Sequence, residues 1–336
     1  MSDAGQPVLR TAHHDDLPRL HEITAASLVH DPDAASVLEL LWGIAADRPD
    51  LRIVAETGGT VTGLALGWLA PPAAGADPAR AGHTSLLAVD PAHRGRGQGR
   101  ALLAGIEDRL LAAGAGHLVV RGTPPHYAWP GIDIRYTPAV CLVESAGYRR
   151  GPDAFNMLTD LATADLATAA DERRLAALGV RIRRARPADG ERFLAWMRTW
   201  GGSWAGEAAA ALAYDPPRCH VAVQGEGPDE EFVGFACHGV NRDTWFGPMG
   251  TAESQRGRGV GAVLLRRCLR DQRAAGITES EIGWTGPYRF YARAVGSRLQ
   301  RVFRLYRKDP RPSPAAAPQL AAPATPVPAL PLEQES

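Results

Sequence analysis

Lysine is all but missing: of 37 basic residues in a chain of 336, only Lys308 is a lysine and the rest are arginines. Cysteine is scarce too. The four cysteines (Cys141, Cys219, Cys237, Cys268) are widely spaced, and no pair stands at the short interval of a zinc knuckle, so no metal site is expected. Cys219 and Cys237 read as free thiols of a reducing compartment rather than as a disulfide. No apolar run reaches the ~18–20 residues that span a bilayer, and the N-terminus lacks the basic-then-apolar order of a signal peptide. A soluble cytoplasmic protein without a membrane partner is the expectation. The 37 acids cancel the 37 bases, which excludes a dedicated nucleic-acid binder with its strongly basic face.

That cancellation is uneven along the chain. Residues 1–177 hold 15 bases and 21 acids, residues 178–311 hold 22 and 14, and the remainder adds two acids. Length alone favours two domains, each large enough to bury its own core. From Asp309 onward the sequence is Pro/Ala-rich with no amphipathic period, so 309–336 is expected to be a disordered tail. A polar-faced linker helix is expected over 161–177, ending at Gly179. The folded blocks are then 1–160 and 178–308.

An internal repeat relates the two blocks. Arg94-Gly95-Arg96-Gly97-Gln98-Gly99 recurs as Arg256-Gly257-Arg258-Gly259-Val260-Gly261 at an offset of 162, which also carries Leu102 onto Leu264 and Gly114 onto Gly276. Upstream, Arg10 and Asp16 map to Arg183 and Asp189, and Gly63 maps to Gly234. Each copy reads as an opening strand, amphipathic helices, a β-hairpin, a further strand, the glycine-arginine loop, a helix and another strand. Gly114 and Gly276 are placed to end the helix that follows the loop. The fold class is therefore mixed α/β, a central mixed sheet flanked by helices, present twice.

A glycine-rich turn that opens a helix leaves backbone N–H groups converging on one spot beside the positive end of the helix dipole. Glycines permit close approach, and Arg94, Arg96, Arg100, Arg256 and Arg258 add charge, so the loop suits a phosphate. A Walker-type site is excluded because no Gly-Lys-Ser/Thr is present. A Rossmann site fits poorly, since Arg100 replaces the third small residue in the first copy and a polar spacer separates strand from loop in both. An RGG-type RNA segment would lack the helical period that follows.

These residues resemble the GNAT superfamily of acyl-CoA-dependent N-acyltransferases. Its loop, Arg/Gln-x-x-Gly-x-Gly/Ala, is matched by Arg94-x-x-Gly97-x-Gly99 and by Arg256-x-x-Gly259-x-Gly261. The chain is thus similar to a tandem member of that family. The resemblance implies acetyl-CoA as cosubstrate, with the loop amides on its pyrophosphate. It also implies backbone N–H groups of Val89 and Thr251, five residues before the loop arginines, directed at the acetyl carbonyl as oxyanion donors. The acceptor amine attacks directly, which calls for a base to take its proton and an acid to protonate the departing thiolate. The family's acid is a tyrosine in Phe-Tyr-x-x-x-x-Gly. Phe290-Tyr291 through Gly296 match it, whereas the first copy has Leu142-Val143 before Gly147.

The second copy is therefore expected to be the catalytic one, acting through Tyr291, with the first a binding or shaping domain. Asp243 is the first choice of base, eight residues before Thr251 and so on the same strand face; Glu281, His238 and a water chain compete. For an active first copy, His83 is the candidate. An aromatic, charged stretch from Pro124 to Tyr136, matched by Trp284 and Tyr288 in the second copy, is placed to contact acceptor or cofactor. Amino sugars lead the small-molecule amines expected as acceptors, an ordering by family analogy. A non-catalytic acyl-CoA sensor is the rival.

Overall fold

The computed structural model describes residues 7–71, 80–122, 128–227 and 230–310. The first copy runs β1 (Val8–Thr11), α1 (Leu17–Ser27), α2 (Ala34–Ile44), β2 (Arg52–Thr57), β3 (Thr60–Leu69), β4 (Arg80–Val89), α3 (Gln98–Ala112), β5 (Ala115–Val120), a two-residue β6 (Ile132–Asp133), α4 (Thr137–Ser145) and β7 (Arg149–Asp160). After α5 (Ala169–Ala177) the second copy repeats the order: β8 (Val180–Arg184), α6 (Gly190–Arg198), α7 (Trp204–Leu212), β9 (Cys219–Gln224), β10 (Glu231–His238), β11 (Trp245–Thr251), α8 (Val260–Ala274), β12 (Glu279–Ile282), α9 (Tyr288–Val295) and β13 (Arg298–Lys308). The mixed α/β architecture with two related halves is what the repeat predicts.

Period-two alternation puts a core on each side of the sheet. In the first copy Ile53, Ala55 and Val89 face Leu102, Leu103 and Ile106 of α3. Val54, Leu64, Leu86 and Ala88 face Leu20 and Ile23 of α1 and Leu38 and Leu41 of α2 on the other side. Gly63 and Gly234 stand where the post-loop helix comes closest: a Cβ on Gly63 would lie 2.8 Å from Leu102 Cδ1, and one on Gly234 3.1 Å from Leu264 Cδ1. The Arg–Asp repeat also has a physical basis. Arg10 grips Asp16 with two bonds of 2.8 Å, Arg183 grips Asp189 at 2.7 and 2.8 Å, and each aspartate accepts the backbone N–H three residues earlier.

The thirteen strands form one sheet in the order β1-β2-β3-β4-β5-β13-β7-β12-β11-β10-β9-β8, with β6 beside β13. The last strand of each copy is therefore exchanged. β13, from the end of the second copy, pairs with β5 of the first, and β7, from the first, pairs with β12 of the second. The two then pair with each other, antiparallel, at the centre. The cores follow the exchange, since Tyr306 is packed with the first copy's α3 and Met157 with the second copy's α8.

The expected helix over 161–177 is shorter, because Asp160 and Asp165 accept the N–H groups of Ala162 and Ala167 and hold that stretch in turns until α5 begins. The Pro/Ala-rich segment from residue 311, and Pro124 to Tyr127 of the aromatic stretch, lie outside the described residues. Among the described residues, the cysteines are unbridged, no helix is long and apolar enough to cross a membrane, and no His/Cys/Asp/Glu group is disposed to hold a metal.

Candidate active site

Each copy contains one opening in the sheet. β4 and β5 are parallel but pair only from Arg80↔Ala115 to His83↔Val119. Similarly, β11 and β12 pair only at Trp245↔Glu281 and Phe246↔Ile282. Beyond those points the strands separate. In the second copy a bulge assists, since the four residues of β11 from Phe246 to Met249 oppose the three of β10 from Ala236 to His238. Pro248 inside that bulge has no N–H to give a ladder.

A cleft of about 590 Å³ fills the first opening and one of about 1430 Å³ the second. The loops close one end of each. Gly97 (φ +82°) and Gly259 (φ +92°) take the left-handed conformation that lets the chain turn from loop into α3 and α8. Val89, Arg94, Gly95, Gly97, Gln98, Gly99 and Arg100 border the first cleft, and Thr251, Arg256, Gly257, Gly259, Val260 and Gly261 the second. Arg96 and Arg258 do not; both are exposed. Gln98 is buried, with its amide on Thr57 Oγ1 at 3.1 Å, so it offers the cleft backbone rather than side chain.

The strand residues before the loops leave their backbone groups off the hairpin-side ladder. Asp90 N–H and Ala252 N–H donate to Thr62 and Val233 on the hairpin side. By alternation, Val89 and Thr251 turn their own N–H and C=O groups toward the opening. Their carbonyls are held there by the loop arginines, Arg94 Nε to Val89 at 3.0 Å and Arg256 Nε to Thr251 at 3.4 Å.

Opposite the loop, the copies differ. Tyr291 on α9 borders the second cleft, with its ring 6.2 Å from Phe246 and 4.9 Å from Phe290. Burial pushes its phenol well above the usual tyrosine range, so it carries its proton at neutral pH. The neighbouring Phe290 reaches the start of α8: a Cβ on Gly261 would lie 3.4 Å from it. The first cleft has the buried Val143 on α4. Tyr136 also borders it, but its hydroxyl donates to Asp31 at 2.7 Å.

The exchanged strand braces the second cleft. Asn156 of β7 accepts the N–H of Trp284 at 2.8 Å, and the carbonyl of Phe155 accepts that of Thr285 at 2.7 Å. Trp284 is held there at φ +49°, the left-handed region, 43% exposed on the cleft wall. Phe155 also meets the ring of Tyr288, the first residue of α9, at 5.6 Å.

The bases proposed from sequence are not in the clefts. Asp243 precedes β11 rather than lying on it, and Gly247-Pro248 breaks the strand phase, so the even-number argument fails. Its carboxylate is 77% exposed and paired with Arg218 at 2.6 Å. Glu281 faces away from the cleft-lining Ile282 and takes a bond from Asn156 at 2.5 Å. His238 turns to Asp271 at 3.5 Å. His83 is buried against Trp68, and burial holds its imidazole neutral with a pKa of about 4.

The carboxylate that does border the second cleft is Glu207 on α7, beside Trp200, Trp204, Asn241 and Trp245. It accepts Ser203 Oγ at 3.0 Å and Asn241 Nδ2 at 2.7 Å. Burial raises its pKa, against those two bonds. Its only signal in sequence is the fourfold spacing of Trp196, Trp200 and Trp204. Arg174 of α5 was also unforeseen: its guanidinium donates to the Arg258 carbonyl at 2.8 Å and backs the loop from outside.

The profile of the Acetyltransferase (GNAT) family matches residues 17–127 and 189–296, so that each match contains one loop and its opening. The chain belongs to the GNAT family. No curated protein matches it in sequence. Solved GNAT structures resemble both halves together. One is a GCN5-related glucosamine N-acetyltransferase region in a fungal multi-domain GH3 β-N-acetylglucosaminidase, with TM-score 0.72 and 19% identity over 92% of this chain and 38% of that one. A GCN5-related N-acetyltransferase from Sphaerobacter thermophilus gives TM-score 0.65 and 22% identity over 90% and 95%. A tandem GNAT protein of the clavulanic acid biosynthesis pathway gives 0.62 and 17% over 92% and 99%. At these identities the likeness is one of fold, and it extends to the tandem arrangement.

Proposed function

We propose that this GNAT protein is an N-acetyltransferase that moves an acetyl group from acetyl-CoA to the primary amine of a small acceptor, and that the second cleft does the chemistry. The observation that carries this reading is the coincidence, in that cleft alone, of the glycine-arginine loop, the inward-turned Thr251 backbone and a protonated Tyr291.

Acetyl-CoA supplies the activated acyl group. The amides from Gly257 to Gly261, the α8 dipole and Arg256 suit its pyrophosphate. Thr251 N–H faces the position where negative charge develops on the carbonyl oxygen. As the nitrogen–carbon bond forms and the carbon–sulfur bond breaks, Tyr291 gives its proton to the leaving sulfur and recovers one from solvent. The proton of the attacking amine leaves by Glu207 or by water; Asp243 has no part in it. An amino sugar remains the leading acceptor, in keeping with the glucosamine-acetylating region among the structural neighbours. The first cleft keeps the loop but has Val143, which cannot donate a proton, so it binds an acyl-CoA without turning it over efficiently.

Thiol release from acetyl-CoA over a panel of amines tests transfer. Tyr291→Phe is expected to lower kcat by about 10²–10⁴ with acetyl-CoA affinity within twofold of wild type. Binding of acetyl-CoA with no thiol release on any amine would support the sensor instead.

A further inference from the structure

Four carboxylates are buried among the described residues: Asp31, Glu107, Asp133 and Glu207. Three are neutralised by the chain's own cations. Asp31 has Arg242 at 3.1 Å and Arg301 at 3.0 Å, Asp133 has Arg135 at 2.6 Å and Arg301 at 2.8 Å, and Glu107 has Lys308 at 2.5 Å. Glu207 has no cation among the described residues, only the neutral Ser203 and Asn241. An uncompensated buried carboxylate is costly, and the usual remedies are a proton or a positive partner.

The surroundings of Glu207 suit a positive partner. Trp200 and Trp204 stand beside it with ring centroids 5.8 Å apart, on the same cleft wall. Aromatic faces attract cations through their quadrupole. Trp200 also covers the reacting end of β11, since a Cβ on Gly250 would lie 2.7 Å from its ring. On the corresponding α1–α2 side of the first copy, the same chemistry is already complete. There Trp129 donates to Asp31 at 2.9 Å, and the Arg242 guanidinium binds Asp31 and Asp33. The first copy closes its acceptor side with an arginine from the second, while the second leaves its carboxylate open.

We infer that the α6–α7 end of the second cleft is a cation subsite, in which Glu207, on the same cleft wall as Trp200 and Trp204, receives an ammonium group of the acceptor. The acceptor therefore enters as a small aliphatic ammonium ion, and neutral amines and alcohols of the same shape are discriminated against. Assigning the bound ion to the acceptor rests on the transferase reading; the subsite itself does not.

The test uses the full chain with saturating CoA, so that no turnover occurs, and titrates cyclohexylammonium against its uncharged isostere cyclohexanol by calorimetry. The ammonium is expected to bind at least tenfold more tightly. Glu207→Gln is expected to erase that preference while leaving CoA affinity and the affinity for cyclohexanol unchanged, and Trp204→Leu is expected to weaken the ammonium at least fivefold. Equal affinities for the two probes, or a preference that survives Glu207→Gln in protein that still binds CoA, would overturn the inference. Should Glu207→Gln lose CoA as well, the Trp204→Leu result decides. A charge preference that holds while no amine is ever acetylated would keep the subsite and remove the transferase reading.

Discussion

Opposite their loops the two copies carry different side chains: Tyr291 against Val143, each on the helix that faces its loop. Tyr291 is buried enough to stay protonated, whereas Val143 only fills space with Val140 and Tyr306. A second residue-scale contrast lies at His83, which the structure takes out of the site and makes a stability element. Its imidazole pKa of about 4, set first by burial and then by the Arg121 charge, is below the unfolded value of about 6.5. Between those values the unfolded chain takes up a proton that the folded chain refuses, so this group's contribution falls as pH drops from 6.5 toward 4. Lowering the pH from 7 to 5 should cost about 2 kcal/mol through His83 alone. Urea unfolding of wild type and His83→Gln at both pH values reads this as a shallower pH slope in the variant.

At the scale of elements, the loop and the helix it opens act together. An alanine at residue 97 or 259 would have to hold φ above +80°, at about 1–2 kcal/mol. At residue 259 its Cβ would also press on the Arg174 guanidinium at 2.7 Å, whereas nothing lies within 4 Å at residue 97. Gly259→Ala is therefore expected to weaken acetyl-CoA binding at the second cleft about tenfold and to raise its KM in step. Gly97→Ala is expected to weaken only a second, non-productive binding event. Calorimetry paired with steady-state kinetics separates the two, and loss of turnover from Gly97→Ala alone would move the chemistry to the first copy. Sequence periodicity located these loops, their helices and the preceding strands to within a few residues. It did not show α5 as a brace, because the contact that makes it one is between Arg174 and a backbone carbonyl 84 positions away.

For the whole molecule, the exchange of β7 and β13 makes the halves mutually dependent. Arg301, on the exchanged β13, is 5% exposed and reaches Asp31 and Asp133 of the first copy and, at 3.5 Å, Glu281 of the second. Desolvation would lower its pKa, but the surrounding carboxylates more than reverse that. Replacing it with methionine removes the cation and leaves those carboxylates buried. Arg301→Met should destabilise the protein by about 3–5 kcal/mol, seen as a lower denaturant midpoint with both halves lost in one transition. Two separate transitions would show that the exchanged strands do not couple the copies. The uneven charge of the sequence has its place here, since bases of the second half meet acids of the first: Arg242 with Asp31 and Asp33, Arg266 with Asp171, Arg267 with Glu172 and Lys308 with Glu107.

The sequence by itself determined the doubled domain, the two glycine-arginine loops that open α3 and α8, and the Val143 that the first copy has where the second has Tyr291. The first two follow from the repeat's spacing, the helix and strand periods and the conformations open to glycine; the third rests on the resemblance to the family's Phe-Tyr-x-x-x-x-Gly motif. Only the tertiary structure decided which strand completes which half of the sheet, that Asp243 is a surface residue, and that Glu207 is the carboxylate at the cleft. Those outcomes depend on pairings between residues far apart in sequence and on which charges find a partner once buried. In the case of Glu207, what marks it out is that, among the described residues, it lacks the cation that its three buried counterparts all have.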